Sequence, residues 1–149
     1  MSLVRRFSQS GSGQAVLEVA LVAPFLLALM IGIIDLGRAS QFDTQLAAAA
    51  RAGVQYGAQN LVTADDVTGM ENAAKNDAAG LTGISAVASN YCQCAGSASV
   101  VTCSATGCSS THRLLYVTVT ASATFHPVFK WLMGGAATRS RTATLQVGQ

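Results

Sequence analysis

Ala15 to Ile34 is an apolar run of twenty residues carrying one charge, Glu18, near its start. As a helix it rises roughly 30 Å, the thickness of a bilayer's hydrocarbon core. A helix apolar on every side needs lipid or a bundle around it. A carboxylate inside such a segment is expensive and points to a function beyond anchoring. Arg5 and Arg6 precede the run, so the positive-inside rule keeps the amino terminus cytoplasmic and sends the remainder outside. A secretory signal peptide shares the basic start. Against it, the run is long for a signal core, Glu18 interrupts its beginning, and no obvious turn follows. Arg38-Ala39-Ser40 still leaves a cleavage there conceivable, and an uncleaved signal anchor is the other alternative.

The block Gly13-Gln14-Ala15-Val16-Leu17-Glu18 resembles the amino-terminal signature of type IV pilin-like precursors. It looks most like the TadE family of minor pilins, or pseudopilins, of tight-adherence (Tad/Flp) pilus systems. In that pattern a short basic leader ends in glycine and a glutamate stands fifth in the mature chain. Counting Gln14 as the first mature residue puts Glu18 fifth. The likeness continues through Val19 to Pro24, Gly32 to Ala39 and Leu46 to Gly53, and covers roughly residues 13 to 58.

The resemblance implies cleavage between Gly13 and Gln14 by a prepilin peptidase on the cytoplasmic face. Glycine suits that site because no side chain hinders an extended scissile bond. It also implies that Glu18 pairs with the new α-amine of Gln14 on a neighbouring subunit. In low dielectric an unpaired carboxylate costs on the order of several kcal/mol, so pairing favours assembly over isolation in lipid. A protonated Glu18, or one snorkelling to the headgroups, is the plainer alternative. The implied partners are the peptidase, other major and minor pilins, the Tad inner-membrane assembly platform and the lipid bilayer. The implied location is the bacterial inner membrane, single-pass, with the head periplasmic or extracellular.

Three regions follow. Residues 1–13 are a Ser- and Gly-rich cytoplasmic leader, with Ser12 as a candidate helix cap. Residues 14–58 read as one helix roughly 68 Å long, its transmembrane part at about 15–34. Pro24 is expected to kink or loosen it. Above the membrane, Leu36, Phe42, Leu46, Ala49, Ala50 and Gly53 fall near one face, and Asp35, Arg38, Asp43 and Arg51 are expected to emerge from the membrane. Gly53 and Gly57 have the spacing of a membrane dimer motif but lie outside the apolar segment. Packing of the helix on its own sheet is the favoured reading.

Residues 59–149 form the exported head. Asn60 to Thr63 reads as a turn. Asp65 to about Gly80 reads as a second helix, with early acids and Glu71 four residues before Lys75; Thr68 and Glu71 offer an alternative start with capping-box spacing. Leu115 to Phe125 alternates apolar and polar and is the clearest strand; Thr142 to Val147 is a final strand. Ser85 to Tyr91 and Ser99 to Cys103 are weaker candidates. Val128 to Met133 is a short apolar patch, read as a connecting helix or a surface that meets the membrane or another subunit. The expected fold class is α+β: a long amino-terminal, partly transmembrane helix packed against a small antiparallel sheet, pilin-like.

Cys92, Cys94, Cys103 and Cys108 crowd the loop 92–108. Their spacing fits poorly with paired zinc knuckles, and exported segments keep disulfides. Of the three connectivities, Cys94–Cys103 nested inside Cys92–Cys108 is favoured, with Ala95 to Thr102 as a hairpin. His112 and His126 are read as surface or structural residues rather than metal ligands or bases. No P-loop, GxSxG or HExxH motif is visible, and neither catalytic residues, a metal nor a cofactor is expected. Without residues 1–13 the chain carries seven basic and seven acidic side chains, a balance with no footprint for nucleic acid. The expected function is that of a minor pilin or pseudopilin of a Tad-type apparatus, acting in pilus initiation, tip formation and so adhesion. The alternatives are an unprocessed signal-anchored envelope protein with a disulfide-stabilised binding domain and, more weakly, an exported metal-binding or redox domain.

Overall fold

The computed structural model describes residues 11–103, 108, 111–130 and 134–148. Its dominant element is helix α1, Gly11–Gly57, which contains Pro24 without a break. At 1.5 Å per residue it is a rod roughly 70 Å long. Its lower half is largely uncovered by the described residues: from Ala15 to Ile34 no side chain is buried. Its upper half is the spine of the head, where Leu46, Ala49, Ala50 and Val54 are buried.

The head adds two short helices and an antiparallel sheet. Helix α2, Leu61–Asp65, starts where a turn was expected. The Asn60 side chain accepts the backbone N–H groups of Val62 and Thr63, and the Thr63 hydroxyl accepts the N–H of Asn60. That reciprocal box supplies two helix-start donors with partners. Helix α3, Val67–Asp77, then begins at its own cap, Asp66, whose carboxylate takes the Gly69 N–H at 2.8 Å. The helix expected from Asp65 to about Gly80 is α3, which starts two residues later because the Asp66 backbone (φ −84°, ψ 74°) lies outside the helical region. Thr68 lies inside α3 rather than at its start.

Strands β1 (Ser85–Cys94), β2 (Val100–Val101), β3 (Arg113–Phe125) and β4 (Ala137–Gln146) form one sheet, ordered β2-β1-β3-β4, among the described residues. The alternation in β3 is real: Val117, Val119, Ala121, Ala123 and Phe125 are buried on the helix side. On the opposite face Thr118 bonds Thr144 and Thr120 bonds Thr142, a ladder of cross-strand hydroxyl pairs at 2.9 and 2.8 Å. β4 begins earlier than its alternating segment suggests. Val147 lies just past it, buried, its N–H donating to the Leu115 carbonyl at 2.8 Å.

Helix α1 packs on β3 and β4, and α3 packs between α1 and β1. Two clusters make the core. One joins Val54, Met70 and Ala74 to Val117 and Val119; the other joins Leu46, Ala49 and Ala50 to Ala121 and Ala123. Small residues dominate both, because helix and sheet approach closely. A Cβ on Gly53 would stand 2.9 Å from the Met70 carbonyl oxygen and 3.0 Å from a Val119 methyl. Gly53 and Gly57 thus serve the packing of α1 on its own head.

Candidate functional site: the exposed helix and its collar

The surface that most needs an explanation is the lower half of α1. Val16, Leu17, Leu21, Phe25, Leu29 and Ile33 are all more than three-fifths exposed, Phe25 at 75%. An apolar surface of that extent is not left to water in a stable monomer. The helix is long and apolar enough to cross a membrane. Glu18 stands on the exposed surface near its lower end, four residues above Gln14. Gly13 and Gln14 both lie in the first turns of the described helix. Ser12 also lies within the described part of α1.

Where the apolar segment ends, a polar collar begins. Asp35 follows Ile34, where the chain is expected to leave the membrane, and it is 1% exposed. Its carboxylate accepts the backbone N–H groups of Val128 (3.2 Å) and Phe129 (3.0 Å) and pairs with Arg38 at 3.2 Å. A carboxylate is buried only when its lone pairs are taken up in this way. Arg38 in turn lies over the Phe125 ring, 5.9 Å from its centroid, and Phe125 meets Phe42 edge-on at 5.4 Å. Leu36, expected on the head-facing side, is 64% exposed. It follows Asp35 directly, and the residue that turns inward at this level is the acid, not the leucine.

One to two turns higher, Asp43 holds the edge strand β4. It bonds Arg141 at 2.7 Å and Arg139 at 3.5 Å. These arginines occupy the helix-facing side of β4, opposite Ala121 and Ala123 of β3. A groove of 590 Å³ runs between α1 and β4, lined by Leu36, Ala39, Ala47, Arg51 and the two arginines among others. At the top of the head the Tyr56 hydroxyl donates to Asp66 at 2.8 Å. The Gly69 N–H and that hydroxyl hold the Asp66 carboxyl below its ordinary range, while Asp66 pushes the Tyr56 phenol up. This network joins α1 to the α2–α3 junction.

The cysteines are paired, in a pattern other than the nested one expected. Cys92 bonds Cys103 and Cys94 bonds Cys108, and none of the four is a free thiol. The reason is register. Cys92 stands opposite Val101 and Gln93 opposite Val100, and the turn closes early, with the Ser97 N–H on the Cys94 carbonyl at 2.9 Å and Gly96 at φ +81°. Cys103 therefore lies beside Cys92, not Cys94. Cys92 and Cys94 point to the same face of β1, as alternate strand residues do, so the second bridge forms next to the first. His112 and His126 sit just beyond opposite ends of β3, a strand of thirteen residues and roughly 40 Å, and are not brought together.

Glu18 was legible from its position in an apolar run. Asp35, Asp43 and Asp66 were not identified as anchors. Asp35 and Asp43 meet partners more than ninety residues away, and no local spacing announces such contacts. No curated protein and no solved structure matches the chain. A family model described as TadE-like protein matches residues 13–55, from the glycine before Gln14 to the part of α1 that packs on the head. Through this amino-terminal segment, and not beyond it, the chain is similar to the TadE-like family.

Proposed function

We propose that the chain is a minor pilin or pseudopilin of a Tad-type apparatus, inserted with its head outside and cleaved after Gly13 by a prepilin peptidase. The observation that carries this reading is the division of α1. One half is an exposed apolar rod bearing Glu18; the other is the core of a disulfide-bonded head. The TadE-like match covers the junction of the two. Cleavage leaves an α-amine on Gln14, one helical turn below Glu18. In a bundle of such rods the Glu18 carboxylate of one subunit takes the amine of the next, and both charges leave lipid together. The head then stands at the pilus tip or initiation complex, where adhesion takes place.

The test is the mature mass and amino-terminal sequence of the membrane-extracted protein, with and without the peptidase. A chain starting at Gln14 only when the peptidase is present supports the proposal. A chain retaining residues 1–13 in both strains sinks it and leaves a signal-anchored envelope protein. Glu18→Ala is expected to leave membrane insertion intact and to remove the subunit from sheared pili.

A further inference from the structure

The contact between Asp35 and the segment after β3 has a geometric consequence. Asp35 is the residue immediately above the apolar run. The backbone nitrogens of Val128 and Phe129 lie 3.2 and 3.0 Å from its carboxylate oxygens. Whatever level Asp35 occupies, this segment occupies too. The headgroup layer is roughly 5–8 Å deep on each side of the hydrocarbon core, so a segment within hydrogen-bond reach of Asp35 lies inside it.

The chemistry of the segment suits that level. Val128 is 60% exposed, Phe129 is half-buried and Lys130 is exposed. Pro127 is buried and seats the segment against the head. On the helix at the same height, Ile33, Ile34 and Leu36 are exposed and Arg38 is about half exposed. Apolar side chains beside the cations Arg38 and Lys130 match an interface of acyl chains and phosphates.

We propose that the Asp35-held segment His126–Lys130 is a second membrane contact, docked on the outer-leaflet surface of the bilayer that α1 crosses. The occupant is lipid because this patch is continuous with the exposed apolar face of α1. The helix fixes the depth, and the segment fixes the tilt and rotation of the head over the membrane. Without the N–H groups of Val128 and Phe129, Asp35 would keep only Arg38 as a partner, so the segment and the helix hold one another. The inference rests on the membrane-spanning reading of α1.

The experiment uses the full chain in vesicles of phosphatidylcholine and phosphatidylglycerol, with brominated acyl chains as fluorescence quenchers. The chain's single tryptophan, Trp131, is replaced by Phe. A reporter is then placed at Val128 (Val128→Trp) or, in a separate protein, at Leu26 (Leu26→Trp). Quenching and blue-shifted emission at both positions are expected. Asp35→Ala should abolish quenching at 128 and leave it unchanged at 26, with Asp35→Asn intermediate because one carbonyl acceptor remains. Near-ultraviolet circular dichroism and an unchanged disulfide map show that the head is still folded in each variant. Quenching at 26 without quenching at 128 overturns the proposal while the spanning helix stands. So does quenching at 128 that survives Asp35→Ala in a folded head. A blue shift at 128 that rises with protein-to-lipid ratio and ignores the bromines means a second copy covers the segment, which also overturns it. No quenching at either position removes the spanning helix and this inference together.

Discussion

Gly53 and Gly57 show how much of this small head depends on single atoms. The helix gains about 1 kcal/mol when an interior glycine becomes alanine. At Gly53 that gain meets the Met70 carbonyl oxygen, a backbone atom that cannot swing away, and a Val119 methyl. Overpacking costs about 1–3 kcal/mol, so Gly53→Ala is expected to destabilise the head by up to about 2 kcal/mol net. At Gly57 the first obstacle is the thioether of Met70, the end of a flexible side chain, so Gly57→Ala should cost less. Denaturant unfolding of both variants orders them; a Gly57 variant less stable than the Gly53 variant would contradict the described packing. Asp66 makes the complementary point for charge. Its carboxyl is held low by the Gly69 N–H and the Tyr56 hydroxyl. A depressed folded-state pKa contributes stability that is present above the unfolded value and is lost as pH falls through the folded one. The head should therefore keep its melting temperature through mild acid and lose part of it only below the usual carboxylate range. Asp66→Asn should lower the neutral-pH melting temperature and flatten that acid limb; melts at several pH values decide it.

Elements differed sharply in how far the sequence revealed them. Helix α1 and strand β3 were readable because each repeats one pattern for more than ten residues: unbroken apolarity in one, strict alternation in the other. The α2–α3 junction was not, because its break depends on a cap. Asp66 ends one helix and starts the next, and its acidic side chain reads equally well as part of the first turn of one helix beginning at Asp65. The disulfides failed for a different reason. A hairpin of Ala95 to Thr102 is plausible by length, but a tight turn at Gly96 shifts the pairing by four residues and gives Cys103 to Cys92. Partial reduction with stepwise alkylation and mass mapping should recover Cys92–Cys103 and Cys94–Cys108; nested pairs would mean the β1–β2 register is wrong. Each bridge closes a loop of a dozen residues or so, for which chain entropy gives roughly 3 kcal/mol. Cys92 is buried, so the Cys92–Cys103 double serine variant also places hydroxyls in an apolar setting. It should lose more stability than the Cys94–Cys108 double variant, as denaturant midpoints would show.

At the scale of the whole molecule, one helix serves two solvents. Every buried apolar side chain lies at Leu46 or beyond, and the buried group below that level, Asp35, belongs to the collar. The apolar rod of residues 15–34 therefore contributes no buried side chain to the described core of the head. Its place in the fold is to be covered by something outside the chain, and its removal should leave the core clusters whole. A chain shortened to residues 35–149 is expected to be monomeric in aqueous buffer, to form the same two disulfides and to unfold cooperatively. Its melting temperature should lie within a few degrees of the detergent-solubilised full chain, since unpacked helix adds little to tertiary stability. Gel filtration, a disulfide map and thermal circular dichroism measure all three. If the shortened head melted without a transition, the lower helix would have to stabilise the head through contacts absent from the described packing. If it aggregated while folded, the cause would lie in the apolar side chains still exposed on the head, Leu36, Val62, Val87, Val100 and Val128 among them, since the exposed rod would be gone. Adding Val128→Ser to that shortened chain should then restore solubility, as expected of an apolar patch that meets a bilayer in the full-length protein.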